Sequence, residues 1–82
     1  NPFNPITKFV YRIYKPGSVS LKIYDVMGKL IYTVFEGYKE PGIFEEKWVG
    51  VNKNNQLLSS GIYFYSLSSG GQNITKKMVL SK

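Results

Sequence analysis

Few side chains in this sequence could do covalent or metal chemistry. It carries eleven Lys and Arg, five Asp and Glu, and neither His nor Cys. General acid–base catalysis and metal binding rest largely on His, Cys and clustered carboxylates. Without them a nucleophile would need an unusual Ser/Lys arrangement, so the composition argues against an enzyme. Asn52-Lys53-Asn54-Asn55 has the oxygen spacing of a calcium loop. It lacks the carboxylates that would supply charge, and Lys53 would repel the ion, so it reads as a turn. Asp25 stands beside a turn, where its side chain is expected to accept from nearby backbone N–H groups. Asn73-Ile74-Thr75 fits a glycosylation pattern, a three-residue match that carries little weight. No residue is assigned as catalytic, cofactor-binding or metal-ligating, and no cofactor is expected.

Function must then reside in surfaces, edges and termini. The formal net charge is +6. Its sources are spread along the chain, from Lys8 and Arg12 to Lys76, Lys77 and Lys82, and Arg12 is the one arginine. Base and phosphate readout favours Arg forks, so scattered lysines read as a solvated surface and weigh against a nucleic-acid partner. Eighty-two residues make one small domain, and seven Tyr, five Phe and one Trp supply its core in place of disulfides. No apolar run approaches the ~20 residues of a membrane helix. The start at Asn1 without Met suggests a domain excised from a longer chain, with room upstream for a signal peptide.

The elements that position these residues are short strands. Asn1-Pro2-Phe3-Asn4-Pro5 is an extended leader, because each proline biases its predecessor away from helix. From residue 7 to 14, Phe9, Tyr11 and Ile13 point one way and Lys8, Val10 and Arg12 the other. Lys15-Pro16-Gly17-Ser18 fits a type II turn. Val19, Leu21 and Ile23 then face inward, until a Gly28 turn. Residues 30–35 form a strand apolar on both faces except Thr33, and 36–42 a loop. Residues 43–49 follow as a strand with Phe44 and Trp48 inward. Trp48 packs across the fold, or stacks on sugar if it faces out. Residues 50–60 read as a long turn with a short strand at Leu57-Leu58. Tyr63, Tyr65 and Leu67 alternate through 62–68, Gly70-Gly71 signals a hairpin, and 73–80 is the last strand. About seven strands and no helical periodicity predict an all-β, antiparallel sandwich. Tyr14, Tyr24 and Tyr38 are the expected exposed rings.

Three stretches together resemble a known family, over essentially the whole chain. The first runs from Asn1-Pro2-Phe3-Asn4-Pro5 through Pro16-Gly17-Ser18-Val19-Ser20-Leu21-Lys22-Ile23-Tyr24-Asp25-Val26-Met27-Gly28-Lys29. The second is Pro41-Gly42 leading to Trp48-Val49-Gly50, then Ser60-Gly61-Ile62-Tyr63-Phe64-Tyr65-Ser66-Leu67. The third is the ending Thr75-Lys76-Lys77-Met78-Val79-Leu80-Ser81-Lys82. The pattern resembles the C-terminal sorting domain of type IX (Por) secretion substrates, and is similar to immunoglobulin-like domains of flagellar hook-capping proteins.

The resemblance implies an immunoglobulin-like sandwich over residues 7–82, after a leader at 1–6. It implies a non-catalytic module that directs an upstream cargo domain across the outer membrane. The partner would be an outer-membrane secretion apparatus, and the destination the medium or cell surface by way of the periplasm. By position, the candidates for translocon recognition are Gly61, Tyr63, Thr75, Lys76, Lys77, Met78, Val79, Leu80 and Lys82. Two residues depart from the family pattern: Glu46, where an apolar residue is usual, and Asn55, where Gly is usual. Glu46 suggests an edge strand or local adjustment, while Asn55 tolerates left-handed backbone. An accessory module that binds polysaccharide or protein, and a structural spacer domain, are the competing readings. A planar row of exposed aromatics would favour the first.

Overall fold

Period-two alternation becomes a strand where one face can be buried. β1 (Thr7–Ile13) buries Phe9, Tyr11 and Ile13 and exposes Lys8, Val10 and Arg12. β2 (Gly17–Tyr24) buries Val19, Leu21 and Ile23, the last completely. Each such side chain contributes about 1.5–3 kcal/mol of burial free energy. The remaining strands are β3 (Leu30–Lys39), β4 (Gly42–Trp48), β5 (Gly61–Ser69) and β6 (Gln72–Leu80). These come from a computed structural model that describes residues 6–81. The expected leader, apart from Ile6, lies outside the described residues, as does Lys82.

All pairings are antiparallel. One sheet has the order β3-β2-β5-β6, and the other is the pair β1-β4. Ring contacts fix how the sheets stack. Tyr32 of β3 lies 6.4 Å from Trp48 of β4, and Phe9 of β1 lies 4.9 Å from Tyr65 of β5. β4 therefore covers β3, and β1 covers β5, with Trp48, Leu21 and Ile23 at the centre. The Trp48 indole N–H donates to the Val51 carbonyl at 3.0 Å, so the ring is packed and satisfied rather than turned toward a ligand. The molecule is the expected all-β sandwich.

Several local expectations change. Six strands form among the described residues, close to the about seven expected; in the turn at 50–60 the short strand expected at Leu57-Leu58 is reduced to one bridge, Val51 to Leu57. Asn52 organises that turn instead: its Oδ1 accepts from the Asn54 and Gln56 N–H groups at 2.9 and 3.0 Å. Asn55 takes the left-handed backbone expected of it, at φ 64°. β3 runs on to Lys39 where a loop was expected, since it pairs with the whole of β2, from Tyr24 back to Gly17. Two shifts of register along β3 explain why its faces were ambiguous; Ile31, Tyr32, Val34 and Phe35 are all half-buried. Gly17 opens β2 opposite Lys39 and is not a positive-φ turn residue, so the type II turn is not formed. Tyr14 and Tyr38 are exposed as expected, but Tyr24 is half-buried.

Glu46 sits on the inner row of β4, opposite Phe9. It accepts a 2.9 Å hydrogen bond from the Tyr11 hydroxyl and pairs with Lys39 at 3.5 Å. β4 is an edge strand, so the carboxylate is only half-buried and its charge is met. Asp25 caps its turn as expected, accepting from the Met27 and Lys29 N–H groups at 2.9 Å each.

Candidate recognition surface

A two-residue turn sets the register of the last two strands. Gly70 and Gly71 have φ values of 57° and 80°, the left-handed pair that a twisted hairpin turn requires. Ser69 then faces Gln72, and the ladder continues through Tyr65 opposite Lys76, Tyr63 opposite Met78 and Gly61 opposite Leu80. The candidate residues among those described, from two distant stretches of sequence, therefore meet on one hairpin.

Alternation splits them between two faces. On the inner face, Tyr63 and Leu80 are core residues, 8% and 3% exposed, and Met78 is half-buried. The Tyr63 hydroxyl donates to the Ser59 carbonyl at 2.9 Å, which ties the start of β5 to the preceding loop. These two side chains position the hairpin and cannot themselves touch a partner. Gly61 is half-buried, and a Cβ there would meet nothing within 4 Å, so crowding does not explain its glycine.

The outer face is the accessible one. Thr75, Lys77 and Val79 project from it, Val79 with 70% of its surface exposed. The Thr75 hydroxyl donates to Ser66 Oγ at 3.3 Å, and Ser66 donates to Asn73, forming a polar ladder across the hairpin. Beside Lys77 and Val79 stand Phe64 and Ile62, which sequence reasoning did not select. Ile62 is 44% exposed. The Gly70-Gly71 turn was the signal that would have found them, since counting back from it puts both on the row of Lys77 and Val79. β6 is also an edge, paired with β5 alone among the described strands.

The electrostatics are one-sided. All five acids lie between positions 25 and 46, and the hairpin carries Lys76 and Lys77 with no carboxylate. The ion pairs Lys22–Glu36, Lys39–Glu46 and Lys47–Glu45 occupy other strands. Lys76 projects on the inner side and Lys77 on the outer, so the edge is basic from either face.

The comparisons with known proteins bear on the fold and the family. The structure of FlgD from P. aeruginosa, a hook-capping protein, is similar with a TM-score of 0.65 and 18% identity. The likeness covers 93% of this chain and 60% of that one, and at this identity it shows the fold alone. No curated protein matches the sequence. A family model described as the CHU_C type IX secretion signal domain matches residues 6–81, and by that match, over nearly its whole length, the chain belongs to this family.

Proposed function

We propose that the domain is a non-catalytic C-terminal sorting signal whose β5–β6 hairpin is read by an outer-membrane secretion apparatus. A type IX secretion signal implies such an apparatus, a cargo in the parent chain, and a secreted or cell-surface fate. On this reading the route passes through the periplasm, residues 7–82 form the signal and residues 1–6 lead into it. Recognition falls to the outward row Thr75, Lys77 and Val79, to Lys76 at the basic edge, and to Lys82. Gly61, Tyr63, Met78 and Leu80 hold that row in place. The observation that carries the reading is the hairpin itself, which gathers the described candidates and, among the described residues, leaves its outer row and edge unsheltered within a domain of this family.

The exposed rings do not favour a glycan-binding module. Among the described residues the exposed rings are Tyr14 and Tyr38, which sit beyond β1 and near the end of β3, on different sheets, and so do not share one row.

The test is secretion of an inert, periplasm-exported reporter fused to this chain in a bacterium with an active type IX system. Reporter outside the cell with the intact domain, but not without residues 74–82, is the expected result. Because that deletion removes a strand, Lys76→Glu/Lys77→Glu provides a folded comparison and should lower export. Retention of the intact fusion in the periplasm, with the domain folded, would overturn the sorting reading.

A further inference from the structure

The two sheets do not match in width. Four strands lie below, and β1 and β4 cover β5 and β3 from above, so the inner face of β6 has no strand over it among those described. Leu80 and Met78 reach the cover, but Gln72, Ile74 and Lys76 on the same row are exposed, Ile74 at 53%. A groove of about 370 Å³ results, lined by Arg12, Tyr14 and Lys15 above and by Leu67, Gln72 and Ile74 below. Its upper wall is the end of β1 at Arg12, continued by Tyr14 and Lys15, and β1 pairs with β4 on one side only. The opposite edge of β1 faces the gap with backbone N–H and C=O groups that have no strand partner among the described residues. An unpaired edge above an uncovered apolar floor has the shape of a vacant strand position.

We propose that this position accepts an extended peptide strand from another protein, alternating apolar and acidic side chains, by addition to the free edge of β1. Backbone pairing with β1 supplies the affinity, and the alternation supplies the selectivity. Side chains pointing inward would rest on Ile74 and Leu67 and so must be apolar. Those on the other face run beside Lys8, Arg12 and Lys15, so they must be acidic. Charge complementarity decides the sign: β1, β5 and β6 contain no Asp or Glu, and every acid lies between positions 25 and 46. Arg12 is already held near the groove, 5.6 Å over the Tyr14 ring. The inference does not rest on the sorting reading: the groove lies inside β6 and the outward row Thr75, Lys77 and Val79 outside it, with Lys76 alone bordering both.

The probe is an end-blocked synthetic octapeptide of alternating valine and glutamate, added to the isotopically labelled chain. The expected result is saturable binding, with amide shifts along Thr7–Ile13 and at Ile74 and Lys76. It should weaken as salt rises from about 0.1 M to about 1 M, where the screening length falls from ~10 Å to ~3 Å. Arg12→Glu and Ile74→Asp, both at exposed positions, should each weaken binding about tenfold with unchanged melting midpoints. A peptide with alternate backbone nitrogens methylated, and one with lysine for glutamate, should not bind. Equal binding of the methylated peptide would overturn strand addition. So would shifts confined to the outer face of β6, or no binding at all. Concentration-dependent shifts along β1 without peptide, together with a dimer in sedimentation, would assign the position to a second copy and overturn the proposal as well.

Discussion

Tyr11 on β1 donates its phenolic hydrogen to the Glu46 carboxylate on β4, 2.9 Å away on the inner side of the two-stranded sheet. The bond joins the pair across its ladder at a point where a charge faces the core. Lys39, from β3, completes the cluster: its ammonium lies 3.5 Å from Glu46 and 4.2 Å from the centres of the Phe35 and Phe44 rings. Two rings and a carboxylate thus surround one cation between the sheets. The cluster locks β4 over β3 with polar groups where an aliphatic pair would otherwise serve.

Glu46→Ala should therefore destabilise the domain by about 1–2 kcal/mol, because it leaves a half-buried hydroxyl and ammonium without their acceptor. Tyr11→Phe in the same background should restore part of that loss, since the orphaned hydroxyl is removed. Denaturant midpoints of the two single variants and the double variant measure the coupling. Additive losses would mean that the bond contributes nothing to stability.

The same bond makes stability fall in alkali. Burial first, and then the hydrogen bond and negative charge of Glu46, raise the Tyr11 pKa well above its ordinary value of 10.0. Below pH 10 both folded and unfolded chains keep this proton, and its contribution is fully present. Above pH 10 the unfolded chain releases it first, so the contribution is lost as pH climbs toward the folded pKa. Phenolate absorbance should rise in two phases, with Tyr11 last and coincident with unfolding. In Glu46→Gln the late phase should move to lower pH.

How much could be read from sequence depended on whether each strand is buried on a single face. β1 and β2 alternate cleanly because Ile13, Val19, Leu21 and Ile23 have one core to face, and their opposite faces meet solvent. β3 did not read cleanly because two register shifts turn successive residues inward, and no periodicity survives such shifts. Glu46 fell on the inward row with Phe44 and Trp48 by simple alternation. Its partners Tyr11 and Lys39 come from other strands and had no local signature. The hairpin that gathers Gly61, Tyr63 and the terminal strand was implicit in Gly70-Gly71. The split of that strand into anchoring and outward residues depended on which face the other sheet covers.

Gly50 and Gly70 both have left-handed backbone but should respond differently to substitution. At Gly50, φ is 75° and a Cβ would lie 3.3 Å from Leu80 Cδ1. Gly50→Ala combines backbone strain with pressure on the terminal strand, and should cost about 1–3 kcal/mol. At Gly70, φ is 57° and a Cβ would meet nothing within 4 Å. Asn suits that position in a hairpin turn, so Gly70→Asn should stay within about 0.5 kcal/mol of the parent. Thermal melts of the two variants decide the matter.

Val79 and Leu80 are neighbours that separate recognition from folding. Leu80 is 3% exposed and closes the core beside Gly50, whereas Val79 is 70% exposed on the outer row. Leu80→Asp buries a carboxylate without a partner and should leave the domain unfolded at growth temperature. Export would then fail for a reason unrelated to contact with a receptor. Val79→Asp changes an exposed side chain on an edge strand and should leave the melting midpoint nearly unchanged. If the outer row is what the apparatus reads, Val79→Asp should still lower reporter export several-fold, because it places a negative charge beside Lys77. A folded Val79→Asp domain exported at the parent rate would move recognition away from that row, leaving the basic edge at Lys76 as the surface to vary next.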